Sequence, residues 1–224
     1  MKLEFFKRSA EDQALIIRET AARRGLHAVM VEKDFWVSWT LAVLFAHPEF
    51  GSQLVFKGGT SLSKVFGVIR RFSEDIDLSV SPAFLGIEEQ YVEEAKSRTK
   101  AAARMEELEA ASIECIRERF VPELERIAGE SLGEQFSGAS WMKFQIDPVT
   151  DSPVVLFRYP SNEPTGFDYL RCGHISWTSR RRFQALLRSF CCWNGESTRS
   201  HERISERAGL ETDALAHWYR RLAA

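Results

Sequence analysis

The stretch 56-FKGGTSLSKVFGVIRRFSEDIDLSV-80 decides how the rest of the chain is read. It sets two glycines and two hydroxyl residues at the end of an apolar run, and about one helix later it sets two carboxylates one residue apart. The pattern predicts a strand over 53–56, a turn at Lys57-Gly58-Gly59, a helix over 60–66 and a second strand over 76–80. Glycines at 58 and 59 let the backbone turn sharply and leave no Cβ between its N–H groups and an incoming anion. The helix that follows points its positive end to the same place. Thr60 or Ser61 adds a hydroxyl donor, and Lys64 lies on roughly the same helical side as Ser61, so the group reads as a triphosphate cradle. Asp75 and Asp77, two residues apart on one predicted strand, share a face with Cα atoms ~7 Å apart. Two such carboxylates hold Mg²⁺ against phosphate oxygens.

Each part has a plainer reading. Gly-Gly-Thr-Ser alone is a turn with an N-cap, Asp-x-Asp alone is a solvated strand end, and Arg70, Arg71 and Glu74 are surface charges. The order of the parts (strand, glycine turn, helix, then a strand opening on two acids) is what favours nucleotide chemistry.

Outward from this stretch, Ser9 followed by Asp12 opens a helix that Gly25 closes, and a second helix spans about 29–45. In the second helix Phe35, Trp36, Trp39 and Leu44 recur at helical spacing, which is a core stripe rather than a base-stacking platform. The apolar run 35–45 falls short of the ~20 residues a bilayer requires. Residues 86–129 read as a long amphipathic helix kinked or restarted at Pro122, its charges a solvated face. Residues 141–147 and 153–159 read as an antiparallel hairpin. The fold class is α/β (α+β), a short mixed sheet flanked by helices.

With 224 residues and a net charge of −2, the chain can bury a core and carries no global basic footprint, so a nucleic-acid partner would need a local patch. Cys115, Cys172, Cys191 and Cys192 show neither metal-binding nor secreted disulfide spacing, and His201 adds none; the expected location is a reducing cytoplasm, away from the membrane.

At Lys57–Leu62 and Arg71–Leu78 the chain resembles the nucleotidyltransferase AbiEii/AbiGii toxin family, a branch of the minimal nucleotidyltransferase fold. Similar too are Val31-Glu32-Lys33-Asp34-Phe35-Trp36 and the stretch Val154–Ser161, so the resemblance covers roughly residues 27–170. It implies transfer of a nucleoside monophosphate from an NTP to an acceptor hydroxyl, for which some members use RNA such as tRNA. It also implies a type IV toxin–antitoxin toxin with a cognate antitoxin. Catalytic roles then fall to Asp75, Asp77 and Ser61, nucleotide binding to Gly58, Gly59, Thr60, Ser61 and Lys64, and Mg²⁺ to the two acids.

Beyond Leu170 the family pattern gives a strand with a further acid, whereas Cys172–Trp177 carries none; Asp147 and Asp168 are the substitutes on offer. Residues 171–224 hold ten Arg, no Lys and five acids, against 20 basic and 27 acidic residues before them. The chain therefore divides into a 1–170 nucleotidyltransferase core and an atypical basic 171–224 tail, read as a basic arm, a diverged helical segment or an out-of-frame end. Two alternatives stay open: a catalytically inactive nucleotide-binding remnant, and an Asp-x-Asp glycosyltransferase.

Overall fold

The computed structural model describes residues 4–64, 75–88, 94–133, 142–162 and 169–172. Helix α1, Ala10–Arg24, begins where the Ser9 hydroxyl accepts the Asp12 N–H at 3.1 Å, and it ends at Gly25, whose φ of 65° only a glycine adopts without strain. Helix α2, Ala28–Ala46, buries Trp36, Val37, Trp39, Leu41 and Leu44. Rings of Phe6, Phe157 and Tyr159 stack on or abut Trp36 and Trp39. The indole of Trp36 is only 1% exposed. Truncating such a residue costs about 3–5 kcal/mol, so the aromatic stripe is core, as its spacing indicated. The helix stops at His47, whose Nδ1 accepts the N–H groups of Glu49 and Phe50 at 3.2 and 3.1 Å. Among the described residues no helix is long and apolar enough to cross a membrane.

Strand β1, Leu54–Lys57, leads into helix α3, Gly58–Lys64, and strand β2, Asp77–Val80, pairs with β1 antiparallel, Leu54 opposite Val80 and Lys57 opposite Asp77. The α/β (α+β) class expected from sequence is present, with antiparallel pairing in place of a mixed sheet. Among the described residues there are two sheets, both antiparallel. For β1 and β2 the reason is local: the Thr60 hydroxyl donates to the Asp75 carbonyl, fixing the start of β2 beside the end of β1, so β2 runs back along its neighbour.

Helix α4 spans Arg98–Cys115, with Ser97 as N-cap, rather than beginning near Gly86. Its continuation widens into a π-helical turn over Ile116–Phe120 before helix α5, Val121–Leu132. Pro122 explains the widening: it has no N–H to give the Glu118 carbonyl and its ring crowds that oxygen, so the turn opens and the Val121 N–H reaches Ile116 instead. The expected hairpin is present as β3, Met142–Ile146, and β4, Pro153–Arg158, and β5, Tyr169–Cys172, pairs on the far side of β4. A single hydrophobic cluster joins α2, both strands of the first sheet, β4 and α5 through residues such as Trp39, Phe56, Leu78, Phe157 and Leu124.

Candidate active site

The turn between β1 and α3 is built around one glycine. Gly58 has φ 75°, and a Cβ placed on it would lie 1.8 Å from Asp77 Oδ2 and 2.7 Å from the carboxyl carbon. Only glycine lets the Asp77 carboxylate rest against the backbone of this turn. Ile76 and Leu78 are fully buried while Asp75 is exposed and Asp77 half-buried, so burial alternates through this stretch with the two acids on the less buried positions. Strand β2 begins at Asp77, and Asp75 stands just ahead of it, its carbonyl held by Thr60.

Lys57 sits directly across the ladder from Asp77. Burial pushes its ammonium below the ordinary lysine pKa, and the Asp77 charge opposes that shift. Sequence reasoning placed Lys57 in the motif without giving it a role. The signal was available: it alternates with Phe56, which is 1% exposed in the core, and therefore faces away from the core at the strand end nearest the glycines.

The structure gathers Gly58, Asp75, Asp77 and Lys57 at one end of the sheet and directs other predicted residues inward. Thr60 is fully buried and its hydroxyl holds Asp75. Ser61 is 1% exposed, and its hydroxyl has no hydrogen-bond partner among the described residues. The Lys64 ammonium pairs with the Asp34 carboxylate of α2 and lies 3.4 Å from the Ser38 hydroxyl, which donates to the Asp34 carbonyl at 2.6 Å. Lys64 thus ties α3 to α2 and does not stand open beside the turn. Gly59 is part-exposed at the first turn of α3.

Helix α2 makes a second anchor. The Glu32 carboxylate, 1% exposed, accepts the Ser161 hydroxyl at 2.7 Å, the Asn162 backbone N–H at 2.6 Å and the Asn162 side-chain amide at 3.1 Å. Both stretches that carry the family resemblance outside the glycine motif meet in this contact. Asp147 is committed elsewhere: its Oδ1 accepts the N–H groups of Val149 and Thr150 at 2.9 and 3.0 Å, closing the β3–β4 loop. A groove of about 650 Å³ between α2 and α5 is lined by His47, Glu49, Glu123, Arg126 and Glu130 and lies away from the glycine turn. There the Arg126 and His47 hydrogen bonds hold the Glu123 carboxyl at about 2.

Among the described residues no three His, Cys, Asp or Glu side chains cluster as a metal site. Carboxylate oxygens are the hard donors that magnesium takes. Arg70, Arg71, Glu74, Asp168, the side chain of Cys172, residues 173–177, Cys191, Cys192 and His201 lie outside the described residues. The division expected after residue 170 falls within β5.

Residues 39–205 match the profile of the family described as nucleotidyl transferase AbiEii toxin, type IV TA system. The matched range takes in both halves of the glycine–aspartate motif and both sheets, begins just after the Val31–Trp36 stretch, and continues past residue 171. No curated protein and no solved structure gives a significant match.

Proposed function

The chain belongs to the nucleotidyl transferase AbiEii toxin family of type IV toxin–antitoxin systems, and from that premise we propose that it transfers a nucleoside monophosphate from an NTP to an acceptor hydroxyl, with RNA such as tRNA as the acceptor class. Membership also implies a cognate antitoxin.

One observation carries the reading: the Asp77 carboxylate rests on the Cα of Gly58, at the turn where a phosphate would bind. Two anions brought that close need a cation between them. Magnesium held by Asp75 and Asp77 would supply that charge and draw electron density from the reacting phosphorus. The backbone N–H groups of Gly58 and Gly59 would donate to phosphate oxygens, neither residue having a side chain of its own to cover them. Ser61 is buried and its hydroxyl has no hydrogen-bond partner among the described residues, an unmade bond that costs about 1–3 kcal/mol. The acceptor oxygen bonds to the α-phosphorus as the bond from that phosphorus to its bridging oxygen breaks. Pyrophosphate leaves with the bonding pair and the hydroxyl proton passes to solvent. Fixing these groups in line is the protein's main contribution to such a step.

The test is incubation of the purified protein with each labelled NTP, Mg²⁺ and total RNA. Label should enter RNA, and Asp77→Asn should stop it. Absence of incorporation with every NTP, while NTP binding persists, would leave nucleotide binding without transfer and remove the proposal. Turnover of a nucleotide-sugar with none of NTP would favour glycosyl transfer.

A further inference from the structure

A turn that receives a triphosphate calls for a lysine, and two flank this one. Lys64 has the position expected from sequence, yet its side chain is 10% exposed and its ammonium is held by Asp34 and Ser38 of another helix. Turning it toward the glycines would leave Asp34 without the cation it holds in this structure.

Lys57 has the better geometry. It is the last residue of β1, adjacent to Gly58 and in register with Asp77. Residues directly opposite in an antiparallel pair have Cβ atoms roughly 4.5–5.5 Å apart and project to the same face. Its ammonium therefore shares the face of the carboxylate that rests on the glycine turn.

Resting on the nucleotidyl-transfer reading, we propose that Lys57 is the triphosphate-binding lysine and that it changes partner. It neutralises Asp77 in the empty protein and moves to the β- or γ-phosphate when the metal–nucleotide complex takes over that carboxylate. The exchange gives Asp77 a cationic partner both before and after nucleotide arrives. It also makes Lys57 and a divalent cation competitors for Asp77 before nucleotide arrives.

Calorimetry with Mg²⁺ and each NTP, then the matching NMP, then Mn²⁺ alone, separates this from a structural role. Lys57→Met should lower NTP affinity about 10- to 100-fold, the worth of one charge-assisted phosphate contact. NMP affinity should stay within about 2-fold, and Mn²⁺ alone should bind about 3- to 10-fold tighter because its competitor is gone. Lys57→Arg should retain most of the NTP affinity. Lys64→Met should lower thermal stability and leave the ratio of NTP to NMP affinity unchanged. In the wild-type chain, Mg²⁺ with tripolyphosphate should protect Lys57 from an amine-acylating reagent, and NMP should not. This measurement decides the matter even if Lys57→Met fails to fold. Equal losses for NTP and NMP, an unchanged NTP affinity, or no protection by tripolyphosphate overturns the assignment. A wild-type protein that binds no NTP overturns the underlying reading itself.

Discussion

Asp77 and Asp147 both stand at a strand end beside a tight turn, and their carboxylates differ in what surrounds them. Asp147 accepts two N–H groups from its own loop, a local pattern in which side chain and backbone satisfy one another. Asp77 is set against the glycine that opens α3 and faces a part-buried lysine across the ladder. The first arrangement makes a turn. The second brings charge to a place where a ligand's backbone contacts would also fall, and only the absence of a Cβ at Gly58 permits it.

The sharpest way to break this contrast is to exchange the two acids' roles by mutation. Asp77→Asn should lower nucleotidyl transfer about 10²- to 10³-fold, the usual loss for one transition-state stabiliser, with a melting temperature close to wild type. Asp147→Ala should leave transfer intact in the same labelled-NTP assay. Equal losses from both would end the distinction.

Gly58→Ala comes next. An L-residue in the left-handed region costs about 1–2 kcal/mol, and displacement of Asp77 by the new methyl should bring the total to roughly 2–3 kcal/mol in urea denaturation. Mg-NTP binding, read by calorimetry, should be lost with it. Asp147→Ala should cost about 1–2 kcal/mol, because two loop N–H groups lose their acceptor.

The smallest effect lies outside both turns. Glu123 titrates at about 2 in the folded chain against an ordinary 4.5. The unfolded chain therefore takes up the proton first, and the contribution is complete above about pH 4.5 and lost as pH falls toward 2. Glu123→Gln should flatten that acid limb of the stability profile by under about 1 kcal/mol, since the pair is solvent-screened. A wild-type and a mutant profile that superimpose from pH 2 to 5 would show that the ion pair contributes nothing.

What could be read in the sequence follows from how local each feature is. The Ser9 cap, the Gly25 stop, the restart at Pro122 and the β3–β4 hairpin each depend on chemistry within a few residues, and all are present. The glycine–aspartate motif was legible as an order of elements. Lys64 was read as a ligand because helical spacing puts it near Ser61, but its partner Asp34 lies 30 residues upstream on a helix whose packing no local rule supplies. The inward turn of Ser61 has the same origin. The start of α4 was missed because Gly86 was read as the boundary when the Ser97 cap sets it.

The Glu32 contact has a consequence for how the protein is made. Its donors, Ser161 and Asn162, follow it by about 130 residues. At roughly 5–20 residues per second of synthesis, Glu32 leaves the ribosome some 6–26 s before they do. Throughout that interval α2 cannot settle into its final surroundings without burying an unpaired carboxylate, which is strongly unfavourable. Until residues 161 and 162 are made, the Glu32 carboxylate lacks the donors that hold it in the finished fold. A polypeptide halted before residue 161 retains the whole glycine–aspartate motif and still lacks the contact that seats α2.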